Sequence, residues 1–571
     1  MLTTLMPTPA EGLLACADIL LHNLVEHDRK HVFVELARMS RVCRDMRLKV
    51  TSHMTMVRSL SFPREQLWQS ARADRLDAVL ASVRRTASLR ALDLSALGAL
   101  SEEECGFLIW GLASAGHIKT IQIRDLTLPK IAMCEAAMAL ISTMGGMVRL
   151  DLSRIRLADT DAAPLARMLE GLQNLNTISC GDEYALGWTA FGVIGRALAG
   201  MHNLQEVNLC RCDMSSTEGG CGALFSGLTG LQVLRLTENR NALHHVGSAQ
   251  VFGECISRMH SLHTLSLVNN IRQAPEEYVQ APEALWRGFT ATLAARHELR
   301  RLSIRGTGYS EQGCTFLALA LDWMVHLEEL DMSRNNIGAA GMQRLVDSLR
   351  RKPLKIFNLA ENNLEERGCQ SLVPVFTGMT SLQMLDLAHN GIGAACRELV
   401  AFLPTSLVAL RLGNNEIDCR GVVDIGNAMR NLRALEELEL DNNEIADDGI
   451  REFSQMVGEA AARGSGCRKL LSLNLIANKI SSRGCSALVH GLVELPRIRR
   501  LLLGENLICA EGCMEVSAVL RKLTALQELD LGCNRIDKDA CEALASIGRR
   551  RSGLRINLDA QVAVARRGVL D

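Results

Sequence analysis

One pattern of leucines and asparagines recurs along most of this chain of 571 residues. It reads L-x-x-L-x-L-x-x-N-x-I, as in LEELDMSRNNI from Leu327, LQMLDLAHNGI from Leu382 and LEELELDNNEI from Leu435. The commonest step between copies is 28 residues, and a degenerate eighteenth copy, GLRINLDA, follows the first seventeen. Self-similarity at such a period predicts a solenoid, in which each repeat packs only against its neighbours. The seventeen copies begin at positions 57, 89, 118, 147, 175, 204, 231, 262, 299, 327, 354, 382, 407, 435, 470, 498 and 526.

Each part of the repeat has a physical role. The last two leucines of L-x-x-L-x-L alternate with polar residues, which predicts a short strand with one buried and one solvated face. Stacked strands should form a parallel sheet on the inner wall. The asparagine can satisfy backbone groups that the following turn would leave unpaired. Cys212 and Thr307 occupy this position in two repeats, and asparagine occupies it at positions 239, 270, 335, 362, 390, 415, 443, 478, 506 and 534.

A helix of the form G-x-x-x-L-x-x-x-L follows the turn, with apolar residues at helical spacing that should cover the sheet from outside. Its glycine lies fourteen residues after the first leucine, where a Cβ would crowd the start of the helix. Five cysteines come directly after this position and are interpreted as small apolar residues between helix and sheet: Cys314, Cys369, Cys485, Cys513 and Cys541.

Strand-turn-helix repeats of this length resemble the ribonuclease-inhibitor-like class of leucine-rich repeats. This class also occurs in the sensor ends of innate immune receptors and in the GTPase-activating protein of Ran. The resemblance covers roughly residues 57 to 560 and implies an α/β horseshoe with a parallel inner sheet and outer helices. It does not imply ribonuclease binding. The long steps of 37 residues after Leu262 and 35 after Leu435 depart from the regular alternation of the inhibitor.

The amino-acid composition limits which cellular compartment and which classes of binding partner are expected. The 63 Lys and Arg residues nearly balance 64 Asp and Glu residues, so nothing global favours nucleic acid or an anionic membrane, and any charged site must be local. Nineteen scattered cysteines are typical of free thiols in a reducing compartment. The first residues lack a basic region and a long apolar run, so we expect no signal peptide or membrane span. We predict a cytoplasmic protein.

The candidate binding residues lie between the strand leucines, where side chains point into the hollow. The sequence predicts an acidic cluster of Glu437, Glu439, Asp441 and Glu444, continued two to three repeats away by Glu528 and Asp530. A second, mixed patch comprises Arg301, Arg305, Glu329 and Asp331. An open sheet needs polar residues in any case. The alternative is that this surface docks a basic protein.

Two insertions account for the long steps. The first, QAPEEYVQAPEALWRG, contains Tyr278 and Trp286 in a chain with only 4% aromatic residues. It is interpreted either as a contact loop at the rim or as a lengthened helix start with Trp286 in the core. The second, GEAAARGSGC, is small and rich in glycine, which indicates flexible slack.

Residues 1–56 lack the repeat and have helical spacing. A solenoid needs a cap over its open core layer, and this segment could supply one. The stretch VFVELARMSRVCRDMR also resembles the end of an F-box, with Leu36, Met39, Val42, Cys43 and Arg44 matching and Met46 where tryptophan is common. That resemblance implies a substrate receptor of a cullin-RING ubiquitin ligase, which would bind the ligase adaptor. Residues 57–560 form the solenoid and 561–571 a tail.

No catalytic or cofactor motif stands outside the repeat. There is no phosphate-binding G-x-x-x-x-G-K-[ST], no H-E-x-x-H and no G-x-S-x-G. His27 and His31 have no evident third metal ligand, and of the cysteines 210, 212 and 221 the middle one already fills the asparagine position of its repeat. We therefore predict a scaffold without enzymatic activity and without a cofactor, whose concave face binds protein, for example in cytoskeletal or flagellar machinery. A regulator of a small GTPase, by resemblance to the Ran activator, is a further alternative.

Overall fold

The computed structural model describes residues 59–61, 91–93, 120–122, 146–153, 162–181, 188–211, 220–239, 246–269, 287–288, 290, 293, 297–559 and 561. The chain divides into two compact units at residues 264–273, where the first long step begins. Each unit is built from strands and helices that alternate along the chain. The insertion residues Tyr278 and Trp286, the segment 1–56 with its F-box-like stretch, Cys212, Asn270 and the tail from 562 lie outside the described residues.

The strands of each unit pair in parallel with the next strand along the chain. In the first unit they are β1 Ser59–Ser61, β2 Ala91–Asp93, β3 Thr120–Gln122, β4 Arg149–Ser153, β5 Thr177–Gly181, β6 Glu206–Cys210 and β7 Val233–Thr237. Strand β8, Thr264–Val268, lies at the division. The second unit contains β9 Arg301–Ser303, β10 Glu329–Asp331, β11 Ile356–Asn358, β12 Met384–Asp386, β13 Ala409–Arg411, β14 Glu437–Glu439, β15 Ser472–Asn474, β16 Arg500–Leu502, β17 Glu528–Asp530 and β18 Arg555–Asn557.

The described helices alternate with the strands along the chain and lie on one side of the sheet. In the first unit they are α1 Ala162–Gly171, α2 Trp188–Ala199, α3 Gly220–Phe225 and α4 Val246–Arg258. In the second unit they are α5 Glu311–Trp323, α6 Gly338–Leu349, α7 Glu365–Gln370, α8 Val373–Phe376, α9 Cys396–Ala401, α10 Cys419–Ala428, α11 Asp447–Ala462, α12 Ser482–Leu492, α13 Ala510–Val519 and α14 Lys538–Arg550, with a 3₁₀ turn at Gly393–Ala395. None of the described helices combines the length and the apolar character that crossing a bilayer requires.

The strand register confirms the predicted repeat. Each of the seventeen predicted copies has a strand that begins two residues after its first position. In the second unit the central strand residues stack as one buried apolar row across neighbouring strands. This row contains Leu330, Phe357, Leu385, Leu410, Leu438, Leu473, Leu501 and Leu529. The leucine-rich-repeat solenoid predicted from the sequence, with a parallel sheet on one side and helices on the other, is confirmed in the described parts of both units.

The described asparagines of the repeat do more than close their own turn, because each of them also bonds to the preceding repeat. Asn415 Nδ2 donates to the carbonyl of Leu387 in the preceding repeat at 2.9 Å and to Gly413 at 3.1 Å. The N–H of Asn390 donates to Asn415 Oδ1 at 2.8 Å. Repeated along the second unit, these bonds form an asparagine ladder. At its C-terminal end Gln561 takes the place of asparagine and donates to Leu531 O at 2.8 Å.

Close packing explains the glycine at the start of the helix. A Cβ on Gly449 would lie 2.6 Å from Cys419 Cα, and one on Gly341 would lie 3.1 Å from Cys314 Sγ. The sulfur atoms occupy the same layer. Burial raises the pKa to about 12 for Cys314, Cys369, Cys485 and Cys513. These thiols are inert packing groups, because the thiolate is the reactive form.

Candidate protein-binding face

The open face of the sheet in the second unit carries the side chains on either side of the buried row. Glu329 and Asp331 are half-buried, whereas Leu330 between them is fully buried. The same alternation recurs at Glu437, Leu438 and Glu439. The sequence therefore placed these charged residues on the correct side of the strands.

The predicted acidic residues gather around a cation that the sequence analysis did not single out. Arg411 of β13 places Nε 3.3 Å from Glu439 Oε2 and Nη2 3.9 Å from Glu437 Oε2 on β14. Its Nη1 lies 3.9 Å from Asp386 Oδ2 on β12. Asp441 follows on the β14 side. We call Asp386, Glu437, Glu439 and Asp441 the acidic cluster; three of its four carboxylates lie within 3.9 Å of the one guanidinium.

The acidic cluster has more carboxylates than cations, and the pKa values of Glu439 and Asp386 reflect this excess of negative charge. Burial raises the pKa of Glu439 above its ordinary value of 4.5; Arg411 opposes the rise, and Asp441 and Asp386 add to it. Burial also raises the pKa of Asp386, against a hydrogen bond from the N–H of Ala388 and the charge of Arg411. Because a nearby cation favours the charged form of a carboxyl group, an approaching basic side chain would relieve this shortage.

The raised pKa values predict how stability depends on pH. A carboxyl group with a raised pKa binds more protons in the folded state than in the unfolded state over the window between its two pKa values. Its contribution to the free energy of unfolding therefore falls as pH rises from the ordinary value of about 4 through the folded pKa. In the variant Asp386→Asn, Glu439→Gln, we expect this decrease of the free energy of unfolding with rising pH to be absent. Urea unfolding of both proteins from pH 4 upward measures it, and parallel pH profiles would contradict the prediction.

Asp441 is held in place by its neighbours. Asn474 Nδ2 on β15 donates to Asp441 Oδ1 at 3.1 Å. On the other side, a Cβ on Gly413 would lie 2.8 Å from the same oxygen, so glycine leaves room for the carboxylate. The side chain is thus oriented before any partner arrives.

The mixed patch is brought together as predicted, but its charges are largely paired. Arg301 Nε lies 2.9 Å from Glu329 Oε1. Asp331 accepts hydrogen bonds from Ser303 Oγ at 3.1 Å and from Ser333 Oγ at 2.6 Å. Arg305 Nη1 donates to Ser333 Oγ at 3.2 Å. This patch has less unbalanced charge to offer a partner than the acidic cluster has.

Glu528 and Asp530 do not join the acidic cluster. Strands β15 and β16 separate them from β14, and Arg500 Nε of β16 lies 2.9 Å from Glu528 Oε2. Asp530 Oδ1 accepts from Asn557 Nδ2 at 2.9 Å and from the N–H of Gly532 at 2.8 Å. These carboxylates are satisfied locally.

Glu444 lies at the edge where the strands pass into the turns. Its Oε1 is 3.4 Å from Lys479 Nζ. It lines a polar groove of about 650 Å³ together with His389, Asn414, Glu416, Asn442 and Glu505 among others. Glu444 is therefore next to the acidic cluster along the chain, but it belongs to a different surface.

Among the described residues no group of three or more His, Cys, Asp or Glu side chains could hold a metal ion.

Arg411 and Asp386 are the two residues that the sequence analysis missed. Both occupy the fourth place after the first leucine of their repeats, the same place as Glu439 and Asp331. A search by repeat position across neighbouring copies would have found them, whereas a search for adjacent charges within one copy would not.

Sequence comparison with known proteins supports the repeat assignment. A family model described as Leucine Rich repeat matches residues 324–346, 378–395, 431–454, 466–489 and 522–545. Ribonuclease inhibitor of Mus musculus is 26% identical over 398 residues, covering 63% of this chain and 76% of that protein. The NACHT, LRR and PYD domains-containing protein 5 of Bos taurus is 25% identical over 227 residues, 38% of this chain but only 20% of that protein. A solved LRR protein of Leptospira interrogans, 18% identical, covers 84% of this chain and 98% of its own with a TM-score of 0.39.

Proposed function

Because the chain is a leucine-rich-repeat protein of the ribonuclease-inhibitor-like kind, we propose that it is a non-enzymatic scaffold that binds a basic protein on its open sheet face. The acidic cluster is the observation that carries this proposal. Three of its carboxylates lie within 3.9 Å of Arg411, and no second cation among the described residues lies within 4 Å of them.

The geometry suits a protein ligand. The cluster spans three neighbouring strands, β12 to β14, whose register fixes the spacing of the side chains. Unbalanced charge of one sign speeds encounter with a partner of the opposite sign and disfavours like-charged competitors. Glu437 is 44% exposed and so can reach a partner, whereas Asp386 is 14% exposed and supports the local field. Free cysteines among the described residues support a reducing, cytoplasmic setting.

The test is affinity capture from the native cell with a charge-reversed face. We expect Glu437→Lys, Glu439→Lys, Asp441→Lys to reduce the recovery of basic partners by roughly tenfold or more, since each desolvated charge pair contributes on the order of 1 kcal/mol or more. A matched control reverses three exposed glutamates on helices α9, α11 and α13: Glu398, Glu452 and Glu511. Equal partner recovery from the face variant and the control would refute the proposal.

A further inference from the structure

A strip of positive charge lies at the edge of the second unit where helices end and strands begin. It comprises five successive connections, 430–436, 463–471, 493–499, 521–527 and 549–555, which hold thirteen Lys and Arg residues but only two acidic residues, Glu436 and Glu494. The equivalent connections 377–383 and 402–408 carry no charged residue. We call the five connections the basic strip.

Backbone hydrogen bonds hold the five connections side by side. The N–H of Leu471 donates to Glu436 O, the N–H of Arg499 to Leu471 O, the N–H of Gln527 to Arg499 O and the N–H of Arg555 to Gln527 O, each at 2.8 Å. One residue from every connection is thus joined in a single row. The cations are neighbours in space although up to 125 residues separate them along the chain.

Most of these cations have no counter-charge. Two of the thirteen have evident structural roles: Arg463 pairs with Glu459 at 3.1 Å, and Arg551 donates to the carbonyls of Leu520, Leu523, Thr524 and Leu526. The other eleven are exposed and form no ion pair with any described residue: Arg430, Arg433, Arg468, Lys469, Arg497, Arg499, Arg521, Lys522, Arg549, Arg550 and Arg555.

Stabilisation of helix ends accounts for only part of the strip. Cations favour the negative C-terminal end of a helix, but the effect falls off within the last turn. Arg549 and Arg550 lie in the last turn of α14. Arg468 and Lys469 follow the end of α11 by six and seven residues, and Arg497 follows the end of α12 by five. The strip is therefore more basic than its helices require.

We infer that the basic strip docks an acidic polypeptide segment. Guanidinium groups pair with carboxylates through two parallel hydrogen bonds, and most of the strip's cations are arginines. The five connections contain no aromatic residue on which an unpaired base could stack. None of the large exposed apolar side chains among the described residues lies in them, so nothing there would insert into a membrane. A flexible acidic segment fits this surface better than either alternative.

The experiment measures binding of a short labelled polyglutamate peptide by fluorescence anisotropy at low and physiological salt. We expect saturable binding that weakens with salt. The reversal Arg468→Glu, Lys469→Glu, Arg497→Glu, Arg499→Glu should weaken it roughly tenfold or more. A control with the same change of net charge, Arg367→Glu, Arg397→Glu, Arg420→Glu, Arg451→Glu, should bind nearly as the parent chain does. Circular dichroism establishes that both variants fold.

Competition decides the class of ligand. Duplex DNA, single-stranded RNA of equal charge and phosphatidylserine vesicles are compared with the peptide. Tighter binding of any of these, absence of peptide binding, or equal loss in the control variant would overturn the inference. The acidic-cluster variant of Glu437, Glu439 and Asp441 should retain peptide binding, so failure of the face proposal and failure of the strip inference can be told apart.

Discussion

Replacing Asn390 by alanine will lower the free energy of unfolding by about 3 kcal/mol, since it leaves two buried backbone N–H groups without an acceptor and removes one donor from each of two buried carbonyls. Asn390 is 2% exposed. Its Nδ2 donates to the carbonyls of Leu359 and Leu387, each at 3.0 Å, and its Oδ1 accepts from the N–H groups of Asn362 at 3.2 Å and Leu364 at 3.3 Å. The substitution therefore cuts the asparagine ladder between this repeat and the preceding one, whereas the bond from the backbone N–H of residue 390 to Asn415 Oδ1 in the following repeat remains.

Urea unfolding followed by circular dichroism measures the effect. Asn427→Ala provides the matched control, because Asn427 is exposed on α10 and should change stability by no more than about 0.5 kcal/mol. Asn390→Asp is informative as well, because it keeps the acceptor and loses the donor. A loss below about 1 kcal/mol for Asn390→Ala would mean that the ladder contributes little to cohesion between repeats.

Replacing Gly449 by valine should lower the free energy of unfolding by about 3 kcal/mol, because side-chain atoms would be forced against the preceding repeat. Even a Cβ at this position would lie 2.6 Å from Cys419 Cα and 2.8 Å from Cys419 O. These two atoms belong to the backbone at the start of α10, so they cannot move away from the new side chain as the end of a flexible side chain could. Helices α10 and α11 must then separate or tilt.

Gln455→Val in the same helix is the control for Gly449→Val. Gln455 is exposed, so the substitution introduces the same β-branched residue without a clash. Thermal unfolding should separate the two variants clearly. If both lower the melting temperature equally, helix propensity, and not the contact between repeats, is the cause.

Much of the fold was predictable because the positions of the repeated residues fix the strand register. Leu438 and Asn443 recur at fixed places in copy after copy, so strand, turn and buried face follow from one pattern. Thr307 also fills the asparagine position as expected, and its Oγ1 donates to Ile304 O at 2.6 Å. The division of the chain into two units was not predicted, because the pattern continues through residues 264–273 and only the step lengthens there.

The charged surfaces were harder to predict, because they are assembled from different repeats. Arg411 precedes Glu437 by 26 residues, and only parallel pairing of β13 with β14 makes them neighbours. The basic strip arises in the same way from connections that each contribute a few cations. A net charge of -1 for the whole chain conceals both surfaces, since the positive and negative groups cancel in the sum.

The asparagine ladder has a consequence for how such a chain can change in length. Asn390 and Asn415 are 25 residues apart, whereas Asn443 and Asn478 are 35 apart, yet Asn415 Nδ2 and Asn478 Nδ2 both donate to a carbonyl of the preceding repeat at 2.9 Å. The ladder bonds therefore depend on which repeats are adjacent, and not on the number of residues between two successive asparagines. Duplication of one whole layer breaks one interface between repeats and makes two equivalent ones, and deletion of an internal layer breaks two and makes one. Insertions between the asparagines alter the loops and helices while the stacking stays intact.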